Sequence, residues 1–197
     1  MVRPDGSRSG GGSLETNPAP RATPSPEESD PADSITNVRE TTAPGASEEA
    51  RSDVLLLPRQ LFDRMVAHAR AELPNEGCGV VAGRHGRALS VYAMQNAEAS
   101  PVVYRFDERE QLQVFNEVEG KGWEILAFFH SHTHTEAYPS ATDRAQAHWV
   151  NPVTEEEVPA YPNVTYLILS LMDWDRPVLR AFRFEGGEPV EEEVSIQ

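Results

Sequence analysis

Large apolar residues are sparse up to about Asp53 and then fall into runs with recognisable periods. From Pro58, which suits the first turn of a helix, Leu61, Phe62, Met65, Val66, Ala69 and Leu73 follow at helical spacing until Pro74 stops them. Positions 78–82 and 88–94 are short apolar runs, and the Gly83-Arg84-His85-Gly86 between them predicts a hairpin. A second helix is expected over 107–120, opened by the capping-box-like pair Asp107 and Glu110, with Leu112, Phe115 and Val118 on its apolar face. The stretch 124–132 contains the unbroken run Ile125-Leu126-Ala127-Phe128-Phe129, as in a strand buried on both sides. A third helix is expected over 140–150, and 151–163 reads as a Pro- and Glu-containing loop. Positions 164–171 predict another buried strand, and 178–184 alternates well enough to pair with it across Asp173-Trp174-Asp175. Gly186-Gly187 can start a last hairpin into 190–196. The order helix, strands, helix, strand, helix, strands predicts an α/β domain, a mixed sheet with helices on its faces.

Composition divides the chain in two. Residues 1–53 are Gly, Ser, Pro, Thr and acid, too poor in apolar surface to offset their ordering entropy, and are expected to be a disordered extension. Residues 54–197 are then a single folded domain. A domain of that length buries about two-thirds of its unfolded surface, enough to hold a rigid site without disulfides. The one cysteine, Cys78, excludes an internal disulfide, and no apolar run approaches a membrane span, so a soluble cytoplasmic chain is expected. A net charge of -15 without clustered Lys or Arg argues against nucleic acid and for a neutral or basic protein partner.

The chemistry concentrates between Phe129 and Asp143, in His130-Ser131-His132 followed by Ser140-Ala141-Thr142-Asp143. Two histidines at i and i+2 on a strand project from one face, roughly 6.6 Å apart along the backbone, so their imidazoles can converge on one ion. Asp143, from the first turn of the next helix, would add a third ligand and leave one tetrahedral position open, as in a catalytic zinc site. Glu76, between Asn75 and Gly77 at the mouth of a strand, is the candidate general base, and Ser140 the candidate oxyanion donor. Each part has a plainer reading. His-x-His on a strand is common by chance, Ser140-x-x-Asp143 is equally a helix capping box, and a Glu in a turn is usually only solvated. Cys78 is expected to be a small strand residue rather than a nucleophile. His134 is expected at the rim, His68, His85 and His148 as surface or satisfied core residues, and Trp123, Trp149 and Trp174 as core or edge aromatics.

The ordered combination resembles the signature of the JAMM, or MPN-plus, metallopeptidases: an upstream Glu76, His130-Ser131-His132, seven residues, then Ser140-x-x-Asp143. Thr133 departs from it, since many members carry Pro directly after the second histidine. The resemblance covers about 54–185. It implies a cytidine-deaminase-like JAB1/MPN fold, a curved mixed sheet flanked by about three helices. It also implies one Zn2+ per chain on His130, His132 and Asp143, with Glu76 as acid/base and Ser140 steadying the tetrahedral intermediate. Small stand-alone members resemble hydrolases acting at the C-terminal Gly-Gly of a ubiquitin-like sulfur-carrier protein. The segments 130–133 and 136–140 are most similar to the actinobacterial type that releases cysteine from a carrier-cysteine adduct in cysteine biosynthesis. The expected partner is therefore such a carrier, its tail held by strand addition at a sheet edge. An isopeptidase acting on lysine conjugates and a non-catalytic MPN scaffold are the alternatives.

Overall fold

The computed structural model describes residues 54–197; the expected extension at 1–53 lies outside the described residues. Twelve elements follow in order. They are β1 (Val54–Leu57), α1 (Arg59–Ala71), β2 (Cys78–Arg84), β3 (Arg87–Met94), α2 (Glu108–Gly120) and β4 (Glu124–His132), then α3 (Ala141–Gln146), β5 (His148–Val150), β6 (Glu157–Pro159), β7 (Thr165–Ser170), β8 (Val178–Glu185) and β9 (Glu188–Ile196). Seven strands, in the order β1-β3-β2-β4-β7-β8-β9, close on themselves through the parallel pair β9 and β1. With β4 and β7 also parallel and β2, β3, β8 and β9 joined antiparallel, the sheet is mixed and strongly curved, as expected, with three helices around it.

The apolar pattern explains the layering. Leu61, Phe62, Met65, Val66 and Ala69 make one buried stripe on α1 and pack with Val81, Phe129, Leu167 and Leu169. On the other face Val114 and Val118 of α2 meet Val80, Phe106, Phe128 and Tyr166. Successive residues of β4, Phe128 and Phe129, serve the two different cores, which is why that run is apolar without alternation. His130 lies two residues beyond Phe128 and so shares the α2 side.

Several expectations are corrected. Phe115 and Val118 do lie on the apolar face of α2, but Val114 joins them in place of Leu112, which is 62 % exposed. The third helix stops at Gln146, because Ala147 caps it and the chain from His148 pairs instead with 157–159. The segment 151–163 is therefore not all loop but carries half of a small hairpin, and β1 is a further strand recruited by β9 rather than by its own alternation. The β2–β3 turn is shorter than expected, because His85 (φ 50°) and Gly86 (φ 73°) both take the left-handed conformations of a tight two-residue turn. Trp149 and Trp174 are exposed, and only Trp123 leans on a core. Among the described residues no helix is long and apolar enough to cross a membrane.

Candidate metal centre and active site

The site forms where β4 ends. There β4 is clamped on one side by β7, with His130 beside Ile168 and His132 beside Ser170, and on the other by the start of β2, with His130 opposite Cys78. Ser131 points away from the two histidines, is fully buried, and accepts a hydrogen bond from the Gly77 N–H at 2.9 Å through its hydroxyl. Its own N–H donates to the Gly77 carbonyl at 2.9 Å. These paired bonds tie the residue after Glu76 to the residue between the histidines. Glycine is required at 77, since a Cβ there would sit 2.9 Å from the Ala69 Cα of α1.

Asp143 arrives by a compact loop. The Ser170 hydroxyl donates to the Thr135 carbonyl at 2.5 Å, and Ala137 and Pro139 are buried. Ser140 then caps α3 reciprocally with Asp143: its hydroxyl accepts from the Asp143 N–H at 3.1 Å, and its N–H donates to Asp143 Oδ2 at 2.7 Å. The capping box and the ligand reading thus coexist in one carboxylate. Asp143 Oδ1 lies 3.3 Å from His130 Nε2, and Oδ2 lies 3.4 Å from His132 Nε2. The two imidazole Nε2 atoms are 3.2 Å apart. All three donors fall within 4.8 Å of one another and are buried, so they form a group able to hold a metal ion.

The tautomer of His132 fits that use. Its Nδ1–H donates to the Glu136 carbonyl at 2.8 Å, which leaves the Nε2 lone pair facing Asp143. Tyr104 stacks on His130 with ring centroids 4.5 Å apart and fixes that ring from its face. Lone pairs of two imidazoles and a carboxylate converge on one buried point, an arrangement that requires either a cation or captured protons. Burial would raise the Asp143 carboxyl, but hydrogen bonds from both imidazoles outweigh it and hold the group well below the usual carboxylate range. For His132 burial acts downward, and the bonds to Asp143 and to the Glu136 carbonyl overcome it, so its pKa is raised.

Glu76 is 4 % exposed, and its Oε2 is buried without a hydrogen-bond partner. Burial raises its pKa, the two histidines pull it down, and Asp143 pushes it up again, so all three donors act on this carboxyl. An orphaned carboxylate oxygen beside a cluster of metal-type donors is the arrangement expected of a proton-accepting group that is not itself a ligand. Beside the donors opens a cavity of about 270 Å³ whose wall includes Tyr104, Phe106, Phe128 and Tyr161 as well as His130 and Asp143. His134 is exposed and outside the donor group, and Cys78 is fully buried with its thiol pushed up to about 12, first by burial and then by nearby carboxylates. His68 is satisfied by the Cys78 carbonyl at 3.1 Å, whereas His148 is only half satisfied: its Nδ1 pairs with the Arg144 carbonyl at 2.8 Å, but its Nε2 is buried without a hydrogen-bond partner.

Sequence reasoning missed Ser131 and Tyr104. A hydroxyl between two histidines on a strand buried on both sides needs a partner across the sheet, and that signal could have found Ser131. Tyr104 sits outside any periodic run and gave none.

Comparison with known proteins identifies the family. The family model described as prokaryotic homologs of the JAB domain matches residues 58–185. The CysO-cysteine peptidase of Mycobacterium tuberculosis is 41 % identical over 145 residues, 73 % of this chain and 91 % of that protein. The desampylase of Haloferax volcanii is 32 % identical over 126 residues, 60 % of this chain and 82 % of that protein. A Desulfitobacterium hafniense protein solved in solution superposes with a TM-score of 0.62 at 34 % identity, covering 73 % of this chain and 92 % of its own. With a matched fold, a matched length and a buried His-His-Asp group at the end of its central strand, the chain belongs to the prokaryotic homologues of the JAB domain.

Proposed function

We propose that this chain is a zinc-dependent peptidase that cuts the bond at the C-terminal Gly-Gly of a ubiquitin-like sulfur-carrier protein and releases cysteine from a carrier-cysteine adduct. The observation that carries the reading is the buried donor group of His130, His132 and Asp143 together with the buried Glu76, whose Oε2 has no hydrogen-bond partner and whose carboxyl is influenced by all three. The substrate follows from the 41 % identical relative, whose name gives a CysO-cysteine peptidase, and whose length this chain covers almost throughout.

His130 and His132 would hold the ion through Nε2 and Asp143 through its carboxylate, one zinc per chain. Such an ion, when bound, supplies Lewis acidity that polarises a carbonyl and lowers the pKa of water from about 15.7 toward 7. Glu76 takes the proton of the attacking water and delivers it to the leaving amine as the carbon–nitrogen bond breaks. Its burial serves that double duty, because a raised pKa makes the carboxylate a stronger base toward the attacking water and brings its titration nearer the working pH, where it can cycle between both forms. The Ser140 oxygen accepts from the Asp143 N–H, so its own hydrogen is available to the carbonyl oxygen that turns anionic. The aromatic cavity gives the carrier tail a water-poor seat next to the donors. Because the main sheet closes, strand addition to hold that tail would use the β5–β6 hairpin or an edge left unpaired beside the closure, such as the part of β3 beyond its single bridge to β1.

A synthetic carrier-cysteine adduct, incubated with zinc-loaded protein with and without chelator and followed by intact mass, tests the reading. Loss of the cysteine mass that stops with chelator is the expected result; an intact adduct rules the substrate out. The desampylase relative favours one further reading, cleavage of a carrier from lysine. A carrier-lysine conjugate in the same assay separates the two. A non-catalytic scaffold would cut neither and would hold no stoichiometric zinc.

A further inference from the structure

Asn96 lies two residues beyond β3 and is buried at 4 % exposure, yet it contributes nothing to the donor group. Its carboxamide is saturated. Nδ2 donates to the Glu76 carbonyl at 3.0 Å and to the Val103 carbonyl at 3.0 Å, with the Ser100 carbonyl at 3.5 Å. Oδ1 accepts from the N–H groups of Glu98 at 3.1 Å and Arg105 at 3.2 Å. One side chain therefore folds the 96–105 loop around itself, and that loop returns a second bond to the same place: the Glu76 N–H donates to the Ser100 carbonyl at 2.9 Å. Both backbone groups of Glu76 are held by a loop that Asn96 organises, while the next peptide is held by Ser131. The same loop delivers Tyr104 onto His130.

The Glu76 carboxylate makes no hydrogen bond through Oε2 that could aim it. Its direction must come from the backbone that carries it. We propose that Asn96 is a positioning residue for the hydrolytic reaction, clamping Glu76 from its carbonyl side and through the 96–105 loop so that the carboxylate is held toward the group formed by His130, His132 and Asp143. The inference rests on the reading of Glu76 as the proton-transfer group. Only a carboxamide satisfies this place. Aspartate offers acceptors where carbonyls need donors, serine is too short to span Glu76 and Val103, and alanine leaves four backbone groups without partners.

The test uses the zinc-loaded full chain and the carrier-cysteine adduct under single-turnover conditions. The variants are Asn96→Ala, Asn96→Asp, Glu76→Gln and the doubles with Glu76→Gln. Asn96→Ala is expected to keep its zinc content and KM and to lose about 10- to 100-fold in kcat, as for other residues that orient a reacting group. In the Glu76→Gln background the same change is expected to cost nothing further, because the group it aims is already disabled. An equal fold-loss in both backgrounds, or an unchanged kcat in Asn96→Ala, overturns the positioning role and leaves Glu76 untouched. Full activity of Glu76→Gln instead removes the assigned base, and the role of Asn96 with it. Should Asn96→Ala fail to fold, the near-isosteric Asn96→Asp is read by the same comparison.

Discussion

Glu76 is subject to opposed fields: burial favours its neutral form, two imidazoles favour the charged form, and Asp143 opposes charge again. Replacing it by Gln keeps the shape and removes the oxygen proposed to accept the proton. Glu76→Gln is expected to retain zinc and lose about 10²- to 10⁴-fold in turnover, checked by elemental analysis beside adduct cleavage. His130→Ala is expected to differ in kind, because it removes a proposed ligand: zinc should be lost with the activity, and added zinc in the same two assays should restore neither. Cys78 offers a control on the claim that the thiol is structural. With its pKa near 12 and no exposure it is neutral throughout the working range, so native protein should resist iodoacetamide at about pH 8 and react only when unfolded. Rapid alkylation with loss of activity would reopen the nucleophile reading.

Elements deliver these residues, and their ends are where substitutions should be felt most. α2 begins at Asp107, whose carboxylate accepts from the N–H groups of Arg109 at 3.1 Å and Glu110 at 3.0 Å. Asp107→Ala is expected to lower unfolding free energy by about 0.5–2 kcal/mol in urea without changing KM, since Asp107 belongs neither to the donor group nor to the cavity wall. Gly77→Ala acts where β2 meets α1. The new methyl would meet backbone, not a yielding side chain, so helix or strand must shift, at about 1–3 kcal/mol. Because Gly77 follows Glu76 directly, turnover is expected to fall with stability, and a stable variant of full activity would show that the Glu76 backbone tolerates displacement. The distinction between the two elements was not visible in their periodicity. Leu112, Phe115 and Val118 look like a stripe, but the packed helix buries Val114 with Val118 and leaves Leu112 exposed.

At the scale of the whole molecule, His132, raised above its ordinary 6.5, contributes stability that is complete below that pH and is lost as pH rises through the folded value. Asp143, held below its ordinary 3.8, contributes stability that is complete above that pH and is lost as pH falls through its depressed value. The metal-free protein therefore gains most from this pair between about pH 4 and pH 6.5. A metal replaces those protons, so the gain in Tm on zinc loading is expected to grow from about pH 5.5 to about pH 8. A gain that shrinks with pH over that range would mean that zinc stabilises the fold somewhere other than at these ligands.

Much of this molecule was already legible along the chain. The double-sided burial of β4 follows from five consecutive apolar residues, and the shared face of His130 and His132 follows from the two-residue repeat of any strand. The link between Ser140 and Asp143 follows from helix-cap spacing. These are local consequences of backbone geometry and need no knowledge of what lies across the sheet. Tertiary structure alone decided the rest. Closure of the sheet through β1 and β9, the early end of α3, the seat of Tyr104 on His130 and the hold of Asn96 on Glu76 join residues distant in sequence or without periodic pattern. Their partners are chosen by which buried polar groups remain to be satisfied once the strands have paired, and a single chain read in order does not disclose that choice.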